Sequence, residues 1–137
     1  MGHLLISLAA AAATAFTAPE LETIEGDWAN ATNSVVVHLE PCADALCGYV
    51  SWASQSAQDN ASRAGTAQLV GTQIMRNFVS IGPDRWRGTL FVPDMRRTTR
   101  AKLIRRGPDE LAIIGCELGG LICKKQTWHR ASASGGQ

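Results

Sequence analysis

The chain has 137 residues, with 13 lysines and arginines against 12 aspartates and glutamates, which gives a formal net charge of +1. This length accommodates one domain, and the charge balance excludes a globally basic nucleic-acid binder while allowing a local basic patch. A chain of this size can bury a real core, so its four cysteines supplement packing rather than replace it.

The N-terminal segment differs in composition from the rest of the chain. An uncharged, weakly apolar run over residues 4–13 ends in Ala13-Thr14-Ala15, a small-x-small pattern that suits signal peptidase. A membrane span needs about 20 apolar residues, roughly twice this length. We therefore predict a signal peptide over residues 1–15, an N-terminal arm over 16–23, and a periplasmic or secreted protein with no transmembrane span after cleavage.

Short β-branched and aromatic runs, separated by turn signals, follow one another through the remainder of the chain. They predict eight strands, placed at residues 24–29, 34–39, 48–54, 68–78, 86–92, 98–105, 111–116 and 123–130. We expect a bulge or bend at Gly71. Residues 41–47 look too irregular for a strand, and residues 54–65 contain no large apolar side chain, which predicts a long exposed loop. Residues 132–137 are predicted to be a disordered tail.

The predicted strand order indicates the fold. Eight sequential antiparallel strands, with no helical periodicity between them, can remove their exposed edges by closing into an up-and-down barrel. We predict such an all-β barrel over residues 24–131, with a two-sheet sandwich as the alternative.

The cysteines form two close pairs, Cys42 with Cys47 and Cys116 with Cys123. Three disulfide connectivities are possible. We favour the local pairing, because each pair brackets an apparent turn, and disulfides agree with export. The alternative of a four-thiolate zinc site is disfavoured, because the second pair is spaced more widely than the two to four residues usual for zinc ligands.

The two ends of the predicted barrel carry matching residues. Gly26-Asp27-Trp28 on the first strand and Trp128-His129-Arg130 on the last resemble the signature of lipocalins and their calycin relatives. The resemblance implies that Arg130 covers the Trp28 indole and, with Gly26, closes the base of the barrel. A guanidinium over an indole contributes roughly 0.5 to 2 kcal/mol.

A wider pattern is more specific. Gly26-x-Trp28 is followed by Cys42-x4-Cys47-Gly48, Trp86-x-Gly88, Gly115-Cys116 and Cys123-x2-Gln126-x-Trp128-x-Arg130. This succession resembles the bacterial envelope family known as domain of unknown function 2147. The resemblance spans residues 26–130 and implies export and a lipocalin-like barrel.

A small, largely apolar ligand inside the barrel is the first functional hypothesis, since such pockets combine apolar walls with a few polar groups. The candidate ligand-binding residues are Trp86, Leu90, Leu103, Gln126 and Trp128. Gln126 shares a strand face with Trp128 and either anchors a structural network or contacts a polar ligand.

A surface role is the alternative hypothesis, in which a filled barrel acts as an envelope interaction or inhibitor module. It would use the loop at 54–65 or a run of six cations within eleven residues. These cations, which form either a solvated outer face or a patch for an anionic envelope partner, are Arg96, Arg97, Arg100, Lys102, Arg105 and Arg106. Nucleic acid is disfavoured because no aromatic stacking platform accompanies them.

Catalysis finds little support in the sequence. No Gly-x-Ser-x-Gly elbow is present, Asp109 and Glu110 are adjacent in a turn, and His38 and His129 belong to no metal-ligand pattern. We expect no enzymatic activity, no cofactor and no metal.

Overall fold

The computed structural model of the chain describes Gly2, residues 24–117 and residues 122–131. Within these residues, eight strands form a closed barrel in which each strand pairs antiparallel with the next and the last pairs with the first. The predicted all-β up-and-down barrel is confirmed, and the sandwich alternative is excluded. The strands are β1 (Gly26–Ala29), β2 (Val35–Cys42), β3 (Ala45–Ala53), β4 (Gln73–Gly82), β5 (Arg85–Val92), β6 (Arg97–Arg105), β7 (Glu110–Glu117) and β8 (Ile122–Arg130).

The connections alternate between the two ends of the barrel because successive strands run in opposite directions. We call the end at which Gly26 and Arg130 lie the closed end; its turns are residues 43–44, 83–84 and 106–109. The opposite end, called the open end, carries the connections at 30–34, 54–72 and 93–96 and the one from β7 to β8.

Large apolar side chains fill the half of the barrel next to the closed end. The bulkiest fully buried residues are Trp28, Phe78, Ile24, Leu39, Met75, Leu103, Leu111, Val37 and Val50. Two glycines show how tightly this region is packed. A Cβ atom at Gly48 would lie 2.9 Å from both Leu39 and Met75, and one at Gly88 would lie 2.6 Å from the Arg76 carbonyl oxygen. The interior here therefore has no room for a ligand.

The predicted long loop at residues 54–65 is wrong, because this segment contains helix α1 (Gln55–Arg63). Ser54 caps its N-terminus, its Oγ accepting a hydrogen bond from the Ala57 amide at 3.1 Å. At the other end, Gly65 has a φ of +107° and the Thr66 amide donates to the Ala61 carbonyl at 2.8 Å, as in a Schellman motif. The helix is anchored by small Ala61, which is fully buried, so the lack of a large apolar residue was a misleading signal.

Two further element boundaries differ from the prediction. Residues 41–47 are not irregular: β2 continues to Cys42 and β3 begins at Ala45, and the two strands are joined by a tight turn in which Ala43 has a φ of +54°. The fourth strand begins at Gln73 rather than residue 68, and Gly71, with a φ of +93°, lies in the turn before it. A left-handed backbone conformation at a single turn residue explains both differences.

Both disulfides follow the predicted local pairing. Cys42 is bonded to Cys47 next to the turn between β2 and β3, at the closed end. Cys116 is bonded to Cys123 across β7 and β8, near the open end. Each end of the barrel thus carries one covalent link between neighbouring strands. The predicted signal peptide, apart from Gly2, the N-terminal arm at 16–23 and the tail at 132–137 lie outside the described residues.

Candidate ligand-binding cavity

The half of the barrel next to the open end contains a cavity of about 720 Å³. Its wall is mostly apolar and includes Val35, Ile74, Leu90 and Ile113. A volume of this size lies within the range of roughly 300 to 1,000 Å³ that is typical of small-molecule sites.

The floor of the cavity separates the open half from the filled half. Val37, Val50 and Trp128 line the cavity and are also almost fully buried. The Trp128 indole Nε1 donates a hydrogen bond to the Gln126 side-chain oxygen at 3.1 Å. This bond satisfies the indole donor, so the floor presents an apolar ring to the cavity and leaves no unpaired polar atom on that ring.

Below the floor, Arg130 seals the closed end. Its guanidinium lies 4.3 Å from the centre of the Trp28 ring, and its nitrogens donate to the carbonyl oxygens of Glu25 and Pro108. Gly26 has a φ of +114°, and a Cβ atom there would lie 2.9 Å from an Arg130 nitrogen. Glycine is therefore required at position 26 both for its backbone conformation and to let the guanidinium approach.

The rim at the open end combines apolar and polar groups. Helix α1 contributes Ser56, Ala57 and Asn60 to the cavity lining, so it covers part of the opening. Met95 and Ile122 also line the cavity, and they are 52% and 49% exposed. Large apolar side chains at an opening offer a contact surface to an entering apolar ligand.

The structure brings together some of the predicted ligand-binding residues and not others. Leu90, Gln126 and Trp128 line the cavity. Leu103 and Trp86 do not: Leu103 is fully buried in the filled half, and Trp86 packs half-buried against the same core. β5 runs from the closed end to the open end and β6 runs back. Leu90 lies on the open-end part of β5, whereas Trp86 and Leu103, which are paired with each other, lie nearer the closed end.

Several wall residues were not predicted from the sequence, and Lys124 is the one among the described residues that carries a positive charge. Lys124 lies on the cavity side of β8, between Ile122 and Gln126, and all three line the cavity. The signal was available, because the two-residue period that places Gln126 and Trp128 on one face extends to Lys124.

The six predicted cations do not form one patch. They are distributed along the whole height of β6, from Arg96 beside Gly65 at the open end to Arg105, whose Nη1 lies 3.9 Å from an Asp84 carboxylate oxygen at the closed end. Arg97 begins β6 and Arg106 follows it. Only Arg100 and Lys102 lie on the exposed outer wall midway along the strand. A strand rises about 3.3 Å per residue, so closeness in sequence did not mean closeness in space.

A different set of cations does share the outer wall. The strand registers place Arg87 opposite Lys102, Lys102 opposite Ile114 and Ile114 opposite Lys125. In the neighbouring row, Thr89 separates Arg76 from Arg100. We call this surface the outer basic face, and it consists of Arg76, Arg87, Arg100, Lys102 and Lys125.

Ionisable side chains of other kinds are dispersed. His38 lies on the exposed wall with its Nδ1 2.9 Å from an Asp27 carboxylate oxygen. Among the described residues, no group of histidines, cysteines and carboxylates is arranged to hold a metal ion. No helix in the same residues is long and apolar enough to cross a bilayer.

A closed eight-stranded antiparallel barrel, sealed at one end and open to a cavity at the other, defines a lipocalin-like protein. The chain belongs to the family described as uncharacterized protein conserved in bacteria (DUF2147), whose family model matches residues 26–130.

A solved structure supports the same class of fold. The chain is similar to protein HP1028 from Helicobacter pylori, which is described as belonging to the lipocalin family. The two share 12% sequence identity with a TM-score of 0.63 over 82% of this chain and 85% of that one. At this identity the likeness concerns the fold alone. No curated protein sequence matches the chain.

Proposed function

We propose that the barrel binds one small, largely apolar ligand in its cavity. The observation that carries the proposal is the contrast within the interior: one half is filled, whereas the other holds about 720 Å³ lined mainly by apolar side chains. When an apolar ligand covers apolar surface that was exposed to water inside the barrel, the free energy of the system falls. This decrease favours binding. The proposed role is binding without chemical conversion of the ligand.

A neutral fluorescent probe tests this proposal. N-phenylnaphthylamine brightens in apolar surroundings, so titration of the oxidised protein should give saturable binding of one probe per barrel. Leu90→Trp, which adds bulk to the cavity wall, should weaken binding by about tenfold or more, equivalent to about 1.4 kcal/mol.

The matched control lies one position away on the same strand. Thr89 pairs with Arg76 and Arg100 on the outer wall, so Thr89→Trp should leave probe binding unchanged. Non-saturable binding, or equal loss of binding in the two variants, would overturn the proposal.

We further propose that the protein acts outside the cytoplasm, in the periplasm or as a secreted protein. The two disulfides support this location, because such bonds persist in oxidising compartments. If residues 1–15 are a signal peptide, the intact mass of the protein recovered from the bacterial envelope should correspond to a chain that begins at residue 16. A chain that retains residues 1–15 and is recovered from the cytoplasm would contradict this.

A second candidate function uses the outer basic face to dock on an anionic lipid surface. It is favoured by the register, which places Arg87 and Lys102 side by side on the exposed wall. Each basic residue near an anionic lipid surface contributes about 1 kcal/mol. Sedimentation with vesicles of phosphatidylglycerol, compared with phosphatidylcholine, should show binding that weakens in salt and in the variant Lys102→Glu. Arg63→Glu, on helix α1, is the control; equal effects of both variants would exclude this face.

A further inference from the structure

Lys124 is the only cation among the described residues that line the cavity. It lies one step inside the opening on β8: Ile122 precedes it on the same face towards the open end, and Gln126 and Trp128 follow it towards the floor. Its side chain is exposed, as are those of Ile122 and Gln126. In the part of the chain that the structure describes, no carboxylate lies within 4.0 Å of its ammonium group. A positive charge is thus available to a molecule inside the barrel.

The wall next to Lys124 carries no side chain on β7. Its register partner on β7 is Gly115, which also lines the cavity. A Cβ atom at Gly115 would lie 3.4 Å from the Thr99 methyl carbon. This contact is far less severe than those at Gly48 and Gly88, and Gly115 is not among the glycines with a positive φ. Neither close packing nor backbone conformation demands glycine at this position, and its effect is to leave space beside the lysine.

The cavity lining also contains a negative charge, on Asp94, which lies away from Lys124. Asp94 is the only carboxylate among the described lining residues. It lies on the turn between β5 and β6, and β7 separates that hairpin from β8. Both side chains are exposed, but they lie on different sides of the opening. A head group placed over Gly115 would therefore be beside Lys124 and not beside Asp94.

These features arrange the cavity as a polar level above an apolar base. Below Lys124 and Gln126 lies the floor, which is formed by Val37, Val50 and Trp128. We propose that the cavity selects an amphipathic anion, a long-chain carboxylate, whose head group sits beside Lys124 over Gly115 and whose tail extends to the floor. This inference rests on the proposed function and adds to it the chemical class of the ligand. The ammonium group would donate charge-assisted hydrogen bonds to the carboxylate.

Displacement of N-phenylnaphthylamine by ligands of equal chain length tests the inference. Dodecanoate, dodecanol and dodecylammonium should be compared below their micelle concentrations. For the unaltered protein, we expect dodecanoate to bind roughly tenfold or more tightly than dodecanol, as for a hydrogen bond to a charged group. Dodecylammonium should bind most weakly.

Three variants identify the residue responsible. Lys124→Gln should abolish the preference for dodecanoate while leaving dodecanol binding within about twofold, and Lys124→Arg should retain the preference. Lys125→Gln removes a cation from the outer wall at the next position, and it should change neither affinity.

The outcomes separate this inference from the proposed function. If the probe and dodecanol fail to bind, the cavity does not hold apolar ligands and both ideas fall. If dodecanol binds as well as dodecanoate, or Lys124→Gln behaves like the unaltered protein, the barrel binds apolar ligands without selecting anions. Preferential binding of dodecylammonium would assign the selection to Asp94 and overturn the role of Lys124.

Discussion

In the half of the barrel next to the closed end, inward side chains pack against one another, whereas in the other half they surround a cavity of about 720 Å³. The same eight strands pass through both halves. Trp28 and Phe78 are among the bulky side chains that fill the first half, whereas Gly115 contributes no side chain to the wall of the second. The packed core and the cavity thus occupy separate levels of one barrel.

The glycines show this division most directly. At Gly48 and Gly88, atoms of neighbouring residues occupy the space where a side chain would begin. They lie 2.9 Å and 2.6 Å from the position that a Cβ atom would take. At Gly115 the nearest atom is 3.4 Å away. Glycine thus permits close packing in the filled half and enlarges the cavity in the open half.

Removal of the largest core side chain should have the largest effect. Trp28→Ala deletes a fully buried indole, its hydrogen bond to the Ile24 carbonyl at 2.8 Å and its contact with Arg130. We expect a loss of about 3 to 5 kcal/mol in the free energy of unfolding, measured by urea denaturation. Trp52→Ala, at an exposed tryptophan, is the control and should cost far less. Similar losses in the two variants would contradict the filled half as the source of stability.

The two disulfides should contribute similarly to stability but differently to binding. Replacing either pair by serines should lower the free energy of unfolding by roughly 2 to 2.5 kcal/mol, since both close short loops. Loss of Cys116–Cys123, near the open end, should also weaken probe binding, whereas loss of Cys42–Cys47 should not. Urea denaturation and probe titration of both double variants measure this. If both replacements weaken probe binding equally, the shape of the cavity depends on the stability of the whole barrel and not on the disulfide near the open end.

Alanine at the two glycines provides a closely matched comparison. Gly88→Ala places a methyl group against the Arg76 carbonyl and the Phe78 ring, and we expect overpacking to cost about 1 to 3 kcal/mol. Gly115→Ala should change the free energy of unfolding by less than about 0.5 kcal/mol yet weaken dodecanoate binding. Chemical denaturation and displacement titration distinguish the two. A Gly115→Ala variant with unchanged dodecanoate affinity would indicate that the head group lies elsewhere.

The smallest expected effect concerns the helix over the opening. Ser54→Ala removes the N-cap of α1 and should cost about 1 kcal/mol. Because this helix covers part of the cavity, its amides should exchange hydrogen faster and the bound probe should dissociate faster. Ser51→Ala, which removes a weaker 3.3 Å bond to the Val36 carbonyl, is the control. Unchanged dissociation in Ser54→Ala would show that α1 does not limit exit.

The sequence predicted the barrel well because strands and turns are local signals. The alternation of polar and apolar residues in β6 and the Gly107-Pro108 turn can be recognised from their own residues. No knowledge of the neighbouring strands is needed. The cavity was predicted only in part, because whether an inward residue such as Leu103 or Leu90 meets core or empty space depends on its height in the barrel. Height depends in turn on register, which shifts at the irregularities between Val36 and Val37 and between Arg76 and Val79. The helix was missed because its anchor is an alanine.

The seam that closes the barrel joins β1 to β8 through two residue pairs in the described structure, whereas β7 and β8 share eight. Because so few residue pairs join β1 to β8, local unfolding of the barrel should begin between these two strands. Arg130 and Trp28 lie at this seam and hold its lower edge. Since β8 is the last strand of the barrel and pairs with the first, the wall is a complete ring only after β8 has been synthesised. A chain emerging N-terminus first would pass through an open, curled sheet whose cavity does not yet exist.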